Sequence, residues 1–176
     1  MLTDGGREIN HLPLLLREDE GTRIVLEGHI ARGNAVARIA DGTELTAIFH
    51  GPEAYVSPTW YVSRGQVPTW NYAVVHVHGR FHPLDGEEVL AAMARLVGRF
   101  EGPAGWSMDR LDAADRDGML KAIRYFRIEV DSVEAKLKLS QNRAPADRAS
   151  VLERLDASPS DRHREMAAYF RAVNGE

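Results

Sequence analysis

The stretch WNYAVVHVHGRFH, residues 70–82, is the clearest β-strand pattern in this chain of 176 residues and decides its fold class. Its apolar residues Ala73, Val75, Val77 and Phe81 occupy alternate positions, so they share one face of an extended chain. This period of two predicts a long strand with one face on the core, because a helix would repeat every three to four residues.

The segments that precede this strand also have the pattern of strands, in short alternating runs between turn residues. Residues 7–16 and 22–30 predict two strands joined by a polar turn. Within residues 37–51, the pair Asp41-Gly42 is a strong signal for a two-residue β-hairpin. The first part of the chain is therefore expected to be an antiparallel β-structure.

The second half of the chain adds helical signals. Asp85, with Glu88 three residues later, has the spacing of a capping box ahead of an apolar stripe of helical period. A short helix is predicted near 113–122, the strand pattern returns over 124–141, and the end, 147–174, is charged and helical. Together these patterns predict a mainly β fold with peripheral α-helices, built as an antiparallel barrel.

Composition limits the possible compartments and partners. The formal net charge of −4 gives no overall attraction to a phosphate backbone, so direct nucleic-acid binding is not favoured. The absence of cysteine excludes disulfides and thiol chemistry, and it fits a reducing compartment. No apolar run reaches the ~20 residues of a membrane helix, and the start MLTDGG lacks the pattern of a signal peptide. We expect a cytoplasmic protein without a membrane partner.

Most familiar chemical motifs are absent. Neither Gly-x-Ser-x-Gly nor the glycine-rich nucleotide fingerprints occur. His76 and His78 share one strand face, and His50 and His82 are near them in sequence, which raises the question of a metal cluster. No carboxylate completes such a set in the sequence, so hydrogen-bonded imidazoles are the favoured interpretation. We predict no metal site and assign no catalytic residue.

The tripeptide Pro-Thr-Trp occurs twice, at 58–60 and at 68–70. Each proline restricts its own φ and the conformation of the residue before it, so the backbone of each tripeptide is expected to be rigid and to fix the direction of its Trp. The two indoles either fill core or interface space, or they form a flat slot for a flat ligand. The segments 28–34 and 138–143 offer cationic and amide side chains suited to a phosphate, or ordinary solvated charge at a turn and a strand end.

Several stretches become recognisable when taken in order: HLPLLL, GHIARGN, FHGPEAYVSPTWY, VPTWNYAVVHVHG and KLKLSQNR. Together they resemble the PaiB family of FMN-binding proteins, which are often labelled negative transcriptional regulators and belong to the split-barrel flavoproteins. The similarity spans residues 11–155. It implies an FMN-binding split β-barrel domain over 1–145, with 146–176 as a helical extension of the same domain. It also implies a homodimer with FMN at or near the interface.

The resemblance and the residue types together give candidates for the FMN contacts. Arg32, with Asn34, is the first choice for the phosphate end. The full candidate set is His29, Arg32, Asn34, Ser57, Thr59, Trp60, Thr69, Trp70, Asn71, Lys138, Ser140 and Gln141. Whether the protein is an enzyme is left open. The alternatives are a flavin-dependent oxidoreductase without a regulatory role, and a haem-binding or haem-degrading split-barrel relative with an axial histidine.

Two departures from the family pattern carry expectations of their own. The family begins with a helix and a first barrel strand before the HLPLLL segment (residues 7–16 here), whereas only MLTDGG precedes that segment in this chain. We expect either a misassigned start or a barrel that lacks its first strand, with an exposed edge and an incomplete flavin pocket. Where the family shows Ala-Arg-Ala-Asn-Pro, this chain has Gly33 and Ala35, which predicts a more flexible loop.

Overall fold

The computed structural model describes residues 2–3, 9–19 and 23–175. Within them the strands are β1 (Leu2–Thr3), β2 (Ile9–Asn10), β3 (Leu15–Asp19), β4 (Arg23–Ala31), β5 (Glu44–Val56), β6 (Thr69–Pro83) and β7 (Ile123–Lys138). The α-helices are α1 (Glu87–Glu101), α2 (Ala113–Ala122), α3 (Pro145–Asp156) and α4 (Asp161–Asn174). Short 3-10 helices occur at Ala35–Arg38, Pro58–Trp60 and Met108–Arg110.

The strands form one sheet in the order β2-β1-β5-β6-β7-β4-β3. The pairings of β1 with β2 and β5, of β3 with β4, and of β4 with β7 are all antiparallel. In the part of the chain that the structure describes, no pairing joins β2 to β3, so the sheet is not closed. The predicted mainly β fold with peripheral helices is confirmed. The division into 1–145 and 146–176 stays a prediction.

The chain divides into two compact units, and the long strands β5, β6 and β7 each pass through both. Unit 1 comprises Met1–Ala47 and Val77–Val133, and it contains α1 and α2. Unit 2 comprises Ile48–His76 and Glu134–Glu176, and it contains α3 and α4.

In unit 1, helix α1 covers one face of the strands. It buries Ala92 and Leu96 in a cluster with Leu84 and Tyr125. The Tyr125 hydroxyl donates a hydrogen bond to the Ala92 carbonyl over 3.1 Å. Burial, reinforced by the nearby Glu27 carboxylate, raises the pKa of Tyr125 to about 12. Tyr125 therefore stays neutral at physiological pH and ties β7 to α1.

The hairpin predicted around Asp41-Gly42 is wrong. The residues before the turn form the 3-10 helix Ala35–Arg38 instead of a strand, and only the returning strand, β5, is present. The turn is held by the end of β6: the Gly42 N–H donates to the Phe81 carbonyl over 2.8 Å, and the Phe81 N–H donates to the Thr43 carbonyl over 2.9 Å. The turn therefore pairs with β6, which is distant in sequence, and not with the segment directly before it, as the local signal predicted.

The helix predictions are confirmed in position but one cap is wrong. Helix α1 follows Gly86, which has a φ of +60° and makes no side-chain capping bond, so Asp85 and Glu88 do not form the expected capping box. Helix α2 begins as a capped helix should, because the Asp112 carboxylate accepts a hydrogen bond from the Asp115 N–H over 2.8 Å. The charged end of the chain forms two helices, α3 and α4, instead of one.

Unit 2 has its own hydrophobic core, formed where α3 and α4 pack on the end of β5 and the residue that follows β7. Its buried members are Ala54, Val56, Tyr61, Leu139, Val151, Leu155, Met166, Ala167 and Phe170. Trp60 and Leu152 pack against this cluster from its edge. Since burial of each large apolar side chain contributes roughly 1.5–3 kcal/mol, the packing of α3 and α4 stabilises unit 2.

Candidate functional site

The first Pro-Thr-Trp tripeptide is a 3-10 helix anchored to the C-terminal helices. Ser57 caps it by accepting a hydrogen bond from the Thr59 N–H over 3.2 Å, and the two hydroxyls lie 2.9 Å apart. The Trp60 carbonyl accepts a hydrogen bond from the Ser150 hydroxyl over 2.6 Å. The Trp60 indole meets the His163 ring edge-on at 6.2 Å between centroids. Trp60 is therefore largely a packing residue of unit 2.

The second Pro-Thr-Trp tripeptide has a different environment. It leads into β6, where Trp70 leaves 52% of its surface exposed. Its indole meets the Tyr55 ring edge-on at 5.8 Å between centroids, and Tyr55 is itself 41% exposed. An exposed pair of aromatic rings is costly in water unless something covers it. Trp70 and Tyr55 thus present an exposed aromatic surface, which is one of the two interpretations that the sequence left open for both indoles.

Beside Trp70, the end of β7 is joined to the start of β6 by polar contacts. The Lys138 ammonium donates a hydrogen bond to the Thr69 hydroxyl over 2.7 Å, and both side chains remain accessible to solvent. The Ser140 hydroxyl donates to the Asn71 side-chain oxygen over 3.2 Å, and both residues are buried. These hydrogen bonds bring together four of the residues predicted to contact FMN, at the end of β7 and the start of β6.

The turn after β7 is held in an uncommon conformation. Ser140 has a φ of +58°, which a non-glycine residue adopts only at some cost, about 1 kcal/mol or more. The Gln141 side chain holds the turn to the end of β7: its oxygen accepts a hydrogen bond from the Leu139 N–H over 2.8 Å, and its amide donates to the Leu137 carbonyl over 2.7 Å. Strained backbone that is held by its surroundings is frequent at binding sites.

The loop between the two tripeptides is clamped from the start of α3. The buried Asp147 carboxylate accepts hydrogen bonds from the Val62 and Ser63 N–H groups, each over 2.8 Å. These bonds, that from Ser63 foremost, lower the pKa of the Asp147 carboxyl. Arg143 lies over the Tyr61 ring and donates to the Gln66 side chain over 2.6 Å. The sequence analysis did not single out Asp147; an acidic residue in the first turn after Pro145 was the available signal.

The other three candidates lie in unit 1, where each has a structural role. The Arg32 N–H donates to the Ala122 carbonyl over 3.0 Å and its Nε to the Lys121 carbonyl over 2.9 Å, so Arg32 caps the end of α2. Asn34 caps the 3-10 helix Ala35–Arg38 and donates to the Asn10 side chain over 2.6 Å. Their contact with FMN stays a prediction.

His29, on β4, is the third of these candidates. Its ring stacks on Tyr125 at 5.4 Å between centroids, and burial lowers the pKa of His29 below its ordinary value. Among the other histidines, His78 shares a hydrogen bond of 3.0 Å with the Thr46 hydroxyl, and His82 lies 2.7 Å from the Asp41 carboxylate. Within the described ranges, no group of three or more potential ligand side chains is placed to hold a metal ion.

The described residues thus form a mainly β fold with an exposed aromatic pair, a lysine and several hydroxyls in unit 2. Comparison with known proteins gives the family. The family described as "Putative FMN-binding domain" matches residues 1–132. The chain is 34% identical over 171 residues to "Protease synthase and sporulation protein PAI 2" of Bacillus subtilis (strain 168), covering 94% of this chain and 81% of that protein. This chain therefore belongs to the PaiB-type family of FMN-binding proteins, and FMN is its cofactor.

Other similarities are weaker. An uncharacterized protein of Saccharomyces cerevisiae (strain ATCC 204508 / S288c) is 30% identical over 81 residues, which cover 43% of this chain and 48% of that one. Among solved structures, the flavocytochrome Anf3 from Azotobacter vinelandii matches with a TM-score of 0.45 and 14% identity, over 71% of this chain and 54% of that chain. No helix in the described residues has the length and hydropathy needed to span a membrane.

Proposed function

We propose that this PaiB-type protein holds FMN at the cluster of unit 2 where the start of β6 meets the end of β7. The contact between the Lys138 ammonium and the Thr69 hydroxyl, 2.7 Å long and beside the exposed Trp70, is the observation that carries the proposal. It joins a cation, a hydroxyl donor and a flat aromatic surface within one strand end. FMN requires these three features for its phosphate, its ribityl chain and its ring.

The chemistry of the donor set fits the parts of FMN. A phosphate is bound best by charged and hydroxyl donors that need no rearrangement, and the Lys138 ammonium already rests on Thr69. The hydroxyls of Ser57 and Thr59 lie 2.9 Å apart and supply further donors within unit 2. Trp70 offers the aromatic surface for the ring. When bound, FMN supplies redox chemistry, while these side chains bind and orient it and exclude water from one face.

The turn and the loop beside the proposed FMN site are held in place before any ligand binds. Gln141 holds the turn that follows Lys138, and Asp147 holds the loop that precedes Thr69, so little chain entropy is lost when a ligand binds. Ser140 and Asn71 are buried behind this surface and support it. They act as positioning residues for the strand ends.

We further propose that the protein is a cytoplasmic homodimer. In unit 2, residues 134–138 of β7 are exposed along their whole length, with Leu137 at 40%, and Trp70 and Tyr55 add a larger apolar surface. A second copy of the chain is the partner that would cover such strand surface at a stable interface. The reducing cytoplasm suits a chain of 176 residues without cysteine.

A regulatory role in transcription is the remaining part of the proposal. The relative from Bacillus subtilis is named "Protease synthase and sporulation protein PAI 2", and the motifs of this chain resemble proteins often labelled negative transcriptional regulators. The arginines of α4 do not form a free cationic patch, because Arg162, Arg164 and Arg171 each pair with a carboxylate. With the net charge of −4, this favours regulation through a bound ligand or a protein partner over direct contact with DNA.

The first prediction tests the flavin site. Purified protein is expected to be yellow, with a flavin spectrum, and Lys138→Met is expected to weaken FMN binding by about tenfold or more, because a charge-assisted contact is worth roughly 1.5–3 kcal/mol. Riboflavin, which lacks the phosphate, should bind both proteins equally. Fluorescence titration of the apoprotein measures both affinities. Lys121→Met, the same change in unit 1, is the control and should retain FMN affinity. Unchanged FMN affinity in Lys138→Met would contradict the proposed site.

The second prediction concerns assembly and DNA. Native mass spectrometry is expected to show twice the mass of the 19.6-kDa chain. A gel-shift titration with the protein's own promoter region at low salt is expected to show no shift for the protein alone. A monomer at micromolar concentration contradicts the dimer. A shift that weakens steeply as salt is raised contradicts indirect regulation, because such a dependence reports phosphate contacts.

A further inference from the structure

Unit 1 contains a cavity of about 360 Å³ that the proposed flavin site does not use. It lies where the end of β4 and the start of β7 meet the start of α1 and the end of α2. Its apolar wall consists of Leu84, Val89, Leu120, Ile123 and Tyr125. The size is that of a pocket for a small molecule, and the wall suits a hydrocarbon or aromatic group.

The charged residues of this cavity are balanced in number but do not pair. Arg32 and Lys121 are cations in its lining, and Asp85 and Asp117 are anions. Among the described residues, the only side-chain contact that these four make is the bond from Arg32 Nε to the Lys121 carbonyl. That bond fixes the Arg32 guanidinium at the cavity while it leaves both terminal nitrogens without an acceptor in the described part of the chain.

Charges of both signs, without side-chain partners among the described residues, favour an occupant that itself carries both a positive and a negative charge. An anion would meet Asp85 and Asp117, and a cation would meet Arg32 and Lys121, so either would be repelled by two of the four charged lining residues. FMN carries a phosphate dianion and no positive charge, so it has no group for the two carboxylates. A zwitterion has a partner for each sign, and its apolar portion can rest on Leu84 and the other wall residues.

We propose that this cavity binds a small zwitterion with an apolar side chain, in other words a free aliphatic or aromatic α-amino acid. Arg32 and Lys121 take the carboxylate, Asp85 and Asp117 take the ammonium, and the side chain covers the apolar wall. The proposal does not depend on the flavin site, because every residue it uses lies in unit 1. It gives the protein a second ligand, distinct in chemistry from its cofactor.

Isothermal titration calorimetry of the FMN-loaded protein tests the proposal, with L-leucine, L-phenylalanine and L-methionine as probes. At least one is expected to bind. Leucinamide, which lacks the carboxylate, and N-acetyl-leucine, which lacks the ammonium, are expected to bind about tenfold more weakly than leucine, since each loses one charged contact. If no probe binds, or if the single-charge analogues bind as well as the amino acid, the proposal is wrong.

Two exposed lining residues provide variants that preserve the fold. Lys121→Gln and Asp117→Asn are each expected to weaken amino-acid binding by about fivefold or more, as loss of one exposed charge contact of about 1 kcal/mol predicts. Asp117→Asn should also narrow the difference between leucine and N-acetyl-leucine, because it removes a carboxylate that repels the anion. Asp109→Asn, an exposed change outside this cavity, is the control. Loss of FMN binding in Lys121→Gln or Asp117→Asn would assign the cavity to the flavin and overturn the proposal.

Discussion

Gly79→Ala is expected to destabilise the protein by about 3 kcal/mol, near the upper end of what overpacking of a core usually costs. Gly79 is buried on β6, and a Cβ atom there would lie 2.2 Å from the Glu129 carbonyl oxygen and 2.7 Å from a methyl group of Ile128. Both contacts belong to β7, and the closer one is backbone, so a rotamer change cannot relieve it. The two strands would have to separate along their shared edge.

Urea denaturation measures this effect as a lower midpoint with an unchanged slope, because the same surface is exposed on unfolding. Gly98→Ala is the matched control. Gly98 lies within α1, and a Cβ atom there meets nothing within 4 Å. It should stabilise the protein by about 0.5–1 kcal/mol through helix propensity. If the two variants have similar stabilities, the close approach of β6 and β7 at Gly79 is incorrect.

Arg95→Ala is expected to cost about 2–3 kcal/mol, because it takes away the main counter-charge of a buried carboxylate. Glu27 on β4 is only 2% exposed, and Arg95 from α1 holds it with two hydrogen bonds of 2.8 and 3.0 Å. Arg17 forms a further ion pair with Glu27 at 3.0 Å. Because this pair remains in Arg95→Ala, the loss of stability should be smaller than that caused by leaving a buried carboxylate with no counter-charge. The free energy of unfolding at pH 7 is the quantity to measure.

Two further variants serve as comparisons: one removes an exposed ion pair, and the other replaces the buried ion pair with apolar side chains. Glu44→Gln removes an exposed pair with Arg80, 3.2 Å long, and should change stability by less than about 0.5 kcal/mol. The double variant in which Glu27 and Arg95 both become Leu should recover much of the loss, because an apolar pair needs no desolvation of charge. A loss in Arg95→Ala no larger than that in Glu44→Gln would mean that the buried carboxylate does not depend on Arg95.

Patterns that depend on neighbours in the chain were predictable from the sequence. The strand predicted over 7–16 is wrong in its bounds, because β3 covers Leu15–Asp19 and runs into the predicted polar turn. By contrast, the alternation over 70–82 corresponds to β6, Thr69–Pro83, and the strand predicted over 22–30 corresponds to β4, Arg23–Ala31. Helix α2 occupies 113–122 as predicted. In each case the signal and the structure share a local cause: the period of the apolar side chains or a capping carboxylate.

Predictions that required a distant partner were less successful. Asp41-Gly42 has the local signal of a hairpin, but the backbone of Phe81 holds the turn. Asp85 has the spacing of a cap, but Gly86 adopts a positive φ before α1. Each residue makes its contact with an element that the local pattern does not specify.

The sequence by itself determined the mainly β class, the order of most elements, the family and therefore the cofactor, because alternation, capping signals and motif order are all properties of the linear chain. Only the tertiary structure separated the two identical tripeptides. It packs Trp60 against the core of unit 2 and leaves Trp70 exposed beside Lys138 and Thr69. The tripeptide is the same in both places; the difference is whether a distant helix covers the indole, and burial of that kind is decided by the folded chain.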